Sequence, residues 1–347
     1  MIPTRNQPPY VERGLNNLLL ATPAIAQSVS LYIFPVPSDV QKQQSVCDKF
    51  LNDPSRASGS PALADRHAFN YRAFVPGVFL FFAHYAALRS KVSPDRDRGY
   101  ISYDESGIWI PTTFIRTVKG VPFASHLALF PYYMFVSAES PLATGRELQG
   151  WNKETAKVEI ESVERPDELT TSPIMVKRFV DGDRAEESPL LRLTKVADGS
   201  WSWLLGQLGL AGRSVVQSVR NVIDGDARPT VPGPGLPLSV MRILFHGLTF
   251  TFLKQFRDIA NPEHACYQAG IEARLQPRLP PQALRCLGNY NLEISHADSH
   301  PVATDLGLDK FADDVSSNGS VTFSTIPGFL VKMDFTVYSG SELWRRP

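Results

Sequence analysis

Gly145-Arg146-Glu147-Leu148-Gln149-Gly150-Trp151-Asn152-Lys153-Glu154 is the stretch on which the reading of this chain turns. Ser140 to Gly150 reads as a turn and short helix that presents Arg146 and Glu147. Those two side chains can pair with each other or with backbone to hold the loop. The next residues, Lys153-Glu154-Thr155-Ala156-Lys157, form a charged run. On spacing alone Lys153 is an ordinary surface lysine. Upstream lies Tyr103-Asp104-Glu105-Ser106-Gly107-Ile108-Trp109-Ile110-Pro111, inside a strand-like segment from Tyr100 to Pro111. On position alone Glu105 is a solvated residue near a strand end.

Together the two segments resemble the acetoacetate decarboxylase superfamily. Its members carry a Y-x-E-S-G-x-x-I-P strand and then G-R-E-x-x-G/A-x-P-K-K, whose first lysine forms a Schiff base with a keto acid. The resemblance puts Lys153 at the nucleophile and Glu105 at the family's pocket glutamate, the candidate general acid or base. Arg146 is the candidate for pairing a carboxylate or anchoring the loop. A lysine amine attacks a ketone only when neutral, and its ordinary pKa of about 10.4 keeps it protonated at pH 7. Burial or a neighbouring cation lowers that value, and acetoacetate decarboxylase is itself the standard example of such activation. The implied chemistry needs no metal and no cofactor. The implied fold is α+β: a large antiparallel β-barrel-like, acetoacetate decarboxylase-like domain with a few helices and a central pocket.

The match is good from roughly Tyr100 to Ile160 and thinner over Ser28 to Leu88 and Lys254 to Tyr338. Three departures stand out. The second motif lysine is Glu154, an anion where the family has a cation. The motif proline is Asn152. The regions expected to supply pocket charges, Ala26 to Ser30 and Val78 to Phe82, supply none. These departures fit divergent, secondary-metabolic members that run aldol, dehydration or condensation chemistry on larger keto acids. An apolar wall of Phe79, Phe81, Phe82, Trp109 and Trp151 suits such a substrate. Trp109, Trp151, Phe81, His126 and Glu147 are the candidate substrate contacts. The expected activity is therefore a cofactor-independent Schiff-base lyase, of decarboxylase or aldolase/dehydratase type, acting on a keto acid larger than acetoacetate. The rival expectation is a non-catalytic binding protein that keeps the same pocket for an apolar ligand.

Composition narrows the other classes. The chain has 347 residues, 35 basic and 35 acidic side chains, and a formal net charge of zero, so nothing points to nucleic acid. Cys47, Cys266 and Cys286 are widely spaced and suggest neither a disulfide framework nor a metal pair; cytoplasm is the default compartment. Phe74 to Leu88 is too short and too broken by Pro76, Gly77 and His84 to span a bilayer. His296 and His300 stand four apart, but the intervening residues and Pro301 read as a loop without a third ligand.

Along the chain, 1–27 reads as an irregular arm. Ser28 to Val36 reads as a strand and Ser38 to Asn52 as a helix capped by Ser38. Strands follow at Phe74 to Ala87, Phe123 to Ser137, Lys157 to Val163 and Ser172 to Val180. Trp201 to Ile223 carries an apolar stripe at helical spacing. Residues 200–245 thus read as a helical insertion into one domain spanning 1–347; the stripe suits packing on the barrel, a lid or a homo-oligomer contact. Leu238 to Asn261 reads as a second helical stretch, with a strand alternative at Thr249 to Phe252. Ala265 to Gln276 and Gly288 to His296 read as strands, Asp305 to Asp314 as a short helix, and Val321 to Tyr338 as strands broken at Pro327-Gly328.

Overall fold

The computed structural model describes residues 20–56, 70–118, 121–197, 248–278 and 282–346. The helical insertion expected at 200–245 and most of the N-terminal arm lie outside the described residues. The strands are β1 (Ala24–Pro37), β2 (Asn70–Ala73), β3 (Gly77–Ser90), β4 (Ile101–Val118) and β5 (Val121–Val136). They continue with β6 (Lys153–Ile160), β7 (Glu168–Met175), β8 (Glu186–Glu187), β9 (Leu191–Ala197) and β10 (Leu248–Arg257). The last five are β11 (Ala265–Pro277), β12 (Ala283–Ile294), β13 (Asp314–Val315), β14 (Val321–Val337) and β15 (Ser341–Arg345). Short helices are α1 (Val40–Cys47), α2 (Asp53–Arg56), α3 (Glu139–Thr144) and α4 (Val302–Leu306).

All fifteen strands join one sheet. Its pairings close a circuit of nine strands, β5-β6-β7-β9-β12-β14-β1-β3-β4 and back to β5. They also close a second circuit, β10-β11-β14-β1-β3-β4-β5, because β11 pairs with β14 and β10 meets β5 at Phe250↔Leu129. The sheet is mixed: β5 runs parallel to β6 and to β10, and the other pairings are antiparallel. The α+β, mostly-sheet class expected from the sequence holds, with two parallel pairings that the expectation lacked.

Strands β14, β1, β3, β4 and β5 are common to both circuits. Successive side chains on a strand point to opposite faces, so this shared wall fills two cores. Tyr32, Phe34, Leu80, Phe82, Ile108 and Ile110 pack into one cluster. Leu31, Ile33, Phe79, Phe81 and Trp109 pack into the other. That two-sided burial explains the near-continuous apolar runs in β1 and β3. Fully burying each such side chain contributes roughly 1.5–3 kcal/mol.

Several local expectations need correction. The cap of α1 is Asp39, whose side chain accepts from the Gln41 N–H at 2.8 Å. Ser38 instead donates its hydroxyl to the Leu306 carbonyl at 2.7 Å. The expected helix at Leu238 to Asn261 is, over its described residues, strand β10, because both faces of that apolar run are buried or paired in the sheet. Val176 to Val180 is not strand, and the helix expected from Asp305 lies earlier, in α4. Pro327-Gly328 does not break β14. Its β1 pairing ends at Ile33↔Phe329, so Pro327 has no neighbour on that side needing an N–H, and on the other side register shifts in β12 bracket it. No helix among the described residues is long and apolar enough to cross a membrane.

Candidate functional site

Lys153 is the first residue of β6, and a short irregular segment sets its direction. After α3 the chain makes one wide helical turn over Gly145–Gln149, which ends at Gly150 with φ 87°. That left-handed conformation favours glycine. The N–H groups of Gly150 and Trp151 both donate to the Gly145 carbonyl, at 2.7 and 2.9 Å. The chain then reverses into β6 alongside β5, with Lys153 beside Met134. Gly145 is needed for a second reason: a Cβ there would sit 2.8 Å from Lys153 Cδ and 3.0 Å from Cε. The motif glycine clears the path of the lysine stem.

Glu105 lies on β4 opposite Val136 of β5, two residues along from Met134. The period of two puts Glu105, Val136, Met134 and Lys153 on one face of three adjacent strands. Lys153 Nζ donates to Glu105 Oε2 at 2.8 Å, and the two side chains are only 8% and 5% exposed. This is a buried ion pair, and removing either partner leaves an uncompensated charge. The ammonium also lies 5.7 Å from the Tyr103 ring centre and 5.8 Å from that of Trp151. Tyr103 stacks on Tyr85 at 4.5 Å. Burial, reinforced by the Glu105 charge, holds both phenols well above their ordinary pKa, so they are neutral walls.

The pair opens on a cavity of about 60 Å³ in the second circuit. Trp109, Met134, Trp151, Phe250, Tyr85 and Tyr103 make most of its wall, with Thr144 and Gln149 as polar edges. Lys153 is the one cation among the described lining residues. The indole N–H groups of Trp109 and Trp151 are buried without an acceptor among the described residues. Such unpaired donors cost about 1–3 kcal/mol each, which a ligand oxygen would offset.

The candidate residues are thus divided by the fold. Lys153, Glu105, Trp109 and Trp151 meet in the cavity. Phe81 stands behind it, stacked on Trp109 at 4.1 Å, and does not line it. Arg146 is exposed and faces the other way: its Nη1 donates to the Lys153 carbonyl at 3.2 Å, so it holds the start of β6 and does not line the cavity. Glu147 is also exposed, and its carbonyl accepts from Lys254 Nζ at 2.6 Å. His126 is outside the cavity, bonded to Glu272 at 2.7 Å. The wide turn at Gly145–Gln149 explains the first two, because it rotates Arg146 and Glu147 to the outer surface. The tyrosine pair is the main wall element absent from the sequence reading; Tyr103 stands in the same motif two residues before Glu105, and that period was the available signal.

Glu154 resolves a sign problem. It points to the opposite face, where its carboxylate pairs with buried His300 Nε2 at 3.0 Å. His296 turns instead toward Asp298, at 3.3 Å, so the two histidines serve different partners.

No protein-family model matches the sequence, and neither does any curated protein. Solved structures do match. An acetoacetate decarboxylase from Legionella pneumophila aligns with a TM-score of 0.51 and 14% identity, over 99% of this chain and 93% of that one. The chain has the acetoacetate decarboxylase-like fold. A second acetoacetate decarboxylase structure aligns at TM-score 0.48 and 12% identity over 95% and 93% of the two chains. The enduracididine biosynthesis enzyme MppR aligns at 0.44 and 10% over 95% and 91%. At these identities the likeness is one of fold, and it makes this chain an acetoacetate decarboxylase-like protein in architecture.

Proposed function

We propose that this acetoacetate decarboxylase-like protein is a lysine Schiff-base lyase acting on a keto acid. The observation that carries the reading is the buried Lys153–Glu105 pair at 2.8 Å, on one wall of an otherwise apolar cavity. A proton passes from Nζ to Oε2, leaving a neutral amine and a neutral acid. The amine adds to the ketone carbon, the oxygen takes up a proton and leaves as water, and a protonated imine remains. That imine draws the electrons of a neighbouring bond to nitrogen. In a β-keto acid the bond broken is C–CO₂⁻, carbon dioxide departs, and Glu105, left ionised by the loss of water, takes up a proton from solvent and passes it to the enamine carbon. Loss of an α-proton instead leads to aldol or dehydration chemistry. Hydrolysis returns the lysine.

Size and charge refine the substrate. The cavity has room for a few waters or a short acyl chain, which favours a small keto acid over the larger one suggested by the aromatic residues. With no second cation at the described wall, the indole donors of Trp109 and Trp151 are the groups offered to the substrate's oxygens. The same shortage of cations favours the rival, a binding site for an uncharged ligand, as the second reading.

Borohydride trapping separates the two. With acetoacetate or pyruvate, the expected result is a covalent mass increase on the peptide containing Lys153, absent in Lys153→Ala. No labelling by any short keto acid, or labelling that persists in Lys153→Ala, would leave the binding-protein reading.

A further inference from the structure

Trp151 has a second role: it is the partition between the Lys153 cavity and a separate cleft on the outside of the sheet. That cleft is open and large, about 730 Å³, the size of a site for an organic ligand. Phe130, Tyr132, Phe252 and Phe256 form its apolar side, and Phe256 is 40% exposed.

Its charges are one-sided. Among its described lining residues, Arg146, Lys254, Arg257 and Arg346 stand against the single carboxylate of Glu263. Among the described residues none of the four cations makes a salt bridge, although Glu342 and Glu147 lie near enough to Lys254 to attract its charge. Arg146, Lys254 and Arg257 donate to the carbonyls of Lys153, Glu147 and Pro262, at 3.2, 2.6 and 2.7 Å. The Arg346 guanidinium has no described partner. Some surface cations elsewhere are matched, Arg56 with Asp53, Arg98 with Asp95, Arg285 with Glu164 and Lys310 with Asp39, while scattered ones such as Arg72 and Arg89 have no acid partner among the described residues.

In a chain with equal numbers of acids and bases, the described lining of this concavity sets four bases against one acid. Each guanidinium has five donor hydrogens, and one carbonyl leaves most of them unused. Like charges beside a low-dielectric aromatic wall repel one another and raise the local potential. An anion of matching charge relieves both costs, and a flat or apolar body would cover the exposed Phe256 ring.

We propose that this cleft binds a small organic anion carrying at least two negative charges and an aromatic or apolar body. The site is distinct from the Lys153 cavity and does not depend on the Schiff-base reading. Arg146 belongs to it, which gives that residue of the glycine-arginine-glutamate motif an anion to bind outside the reaction cavity.

Calorimetry on the full chain at low ionic strength tests this with two probes: ADP, which carries charge and a ring, and inorganic pyrophosphate, which carries charge alone. Both are expected to bind with one site per chain, ADP the tighter, and both to weaken as salt is added. The double variant Arg257→Ser/Arg346→Ser lies outside the Lys153 cavity and is expected to weaken ADP by about tenfold. Hydrogen exchange gives an independent readout, with slower exchange expected over β10 when ADP is present. Failure of both probes to bind at about 5 mM overturns the proposal. So does unchanged ADP affinity in the double variant, or displacement of ADP by a keto acid trapped on Lys153. Pyrophosphate binding as tightly as ADP overturns the role given to the aromatic side.

Discussion

If Lys153 is the proposed nucleophile, replacing Gly145 with alanine should separate its reactivity from the stability of the fold. Gly145 has φ −61° and ψ −48°, ordinary helical values, so alanine meets no backbone strain. A helical glycine-to-alanine change is favourable by roughly 0.5–1 kcal/mol. The new Cβ, however, would stand 2.8 Å from Lys153 Cδ and 3.0 Å from Cε. Carbon atoms rest about 3.5–4.0 Å apart, so the lysine stem must move by about 0.7–1 Å. Forcing that stem off its rotamer costs about 0.5–1.5 kcal/mol, which roughly cancels the backbone gain. Net stability should change by no more than about 1 kcal/mol. Reactivity should not be spared, because a misplacement of about 1 Å costs on the order of 100-fold in rate. The assay is the rate of borohydride trapping by acetoacetate under single-turnover conditions, beside urea unfolding of the same samples. Trapping as fast as in the unaltered protein would refute the idea that Gly145 exists to clear Lys153. A stability loss above about 3 kcal/mol would show that the new methyl crowds the fold, not just the lysine.

Two further outcomes are expected. Glu154→Gln should leave the dependence of trapping rate on pH superimposable on that of the unaltered protein, since Glu154 faces His300 on the other side of β6; it should lower stability by about 1 kcal/mol in urea titration. Asp39→Ala should cost about 1 kcal/mol at neutral pH through loss of the α1 cap. Lys310 holds the Asp39 carboxyl below its ordinary pKa, so its contribution is present above the usual carboxylate value and fades as pH falls through the lowered one. The stability gap between Asp39→Ala and the unaltered protein should therefore narrow in acid, and a constant or widening gap would contradict the assignment.

The runs rich in apolar, aromatic and β-branched residues made β1, β3, β4, β5 and β11 readable from the sequence, because each buries a continuous stretch of its side chains. The site pair was readable only through the motif resemblance, since Lys153 in its charged run and Glu105 on its strand look solvated when taken singly. What the sequence hid is non-local. Leu248–Arg257 has an apolar content that suits a helix or a strand, and only pairing with β11 decides it. Leu191–Ala197 is not singled out by the sequence: Leu191 and Leu193 are fully buried, but the run is short and Lys195 falls on their own face. The direction of Arg146 depends on the wide turn at Gly145–Gln149, which breaks the ordinary helical period. The partnership of Glu154 with His300 joins residues far apart in the chain, and no spacing rule reaches that far.

The wall common to the two strand circuits has a bearing on how such a protein can change over time. A stretch such as Val78 to Ala83 has no solvent side, so each position there is answerable to one chamber or the other and drift is confined to exchanges that keep volume. Strand parity insulates the two chambers from each other. One residue can change the lining of one chamber while its neighbour in sequence goes on serving the other face. Lys153 and Glu154 show the separation at work: the amine enters the cavity against Glu105, while the next side chain turns away to His300 and solvent.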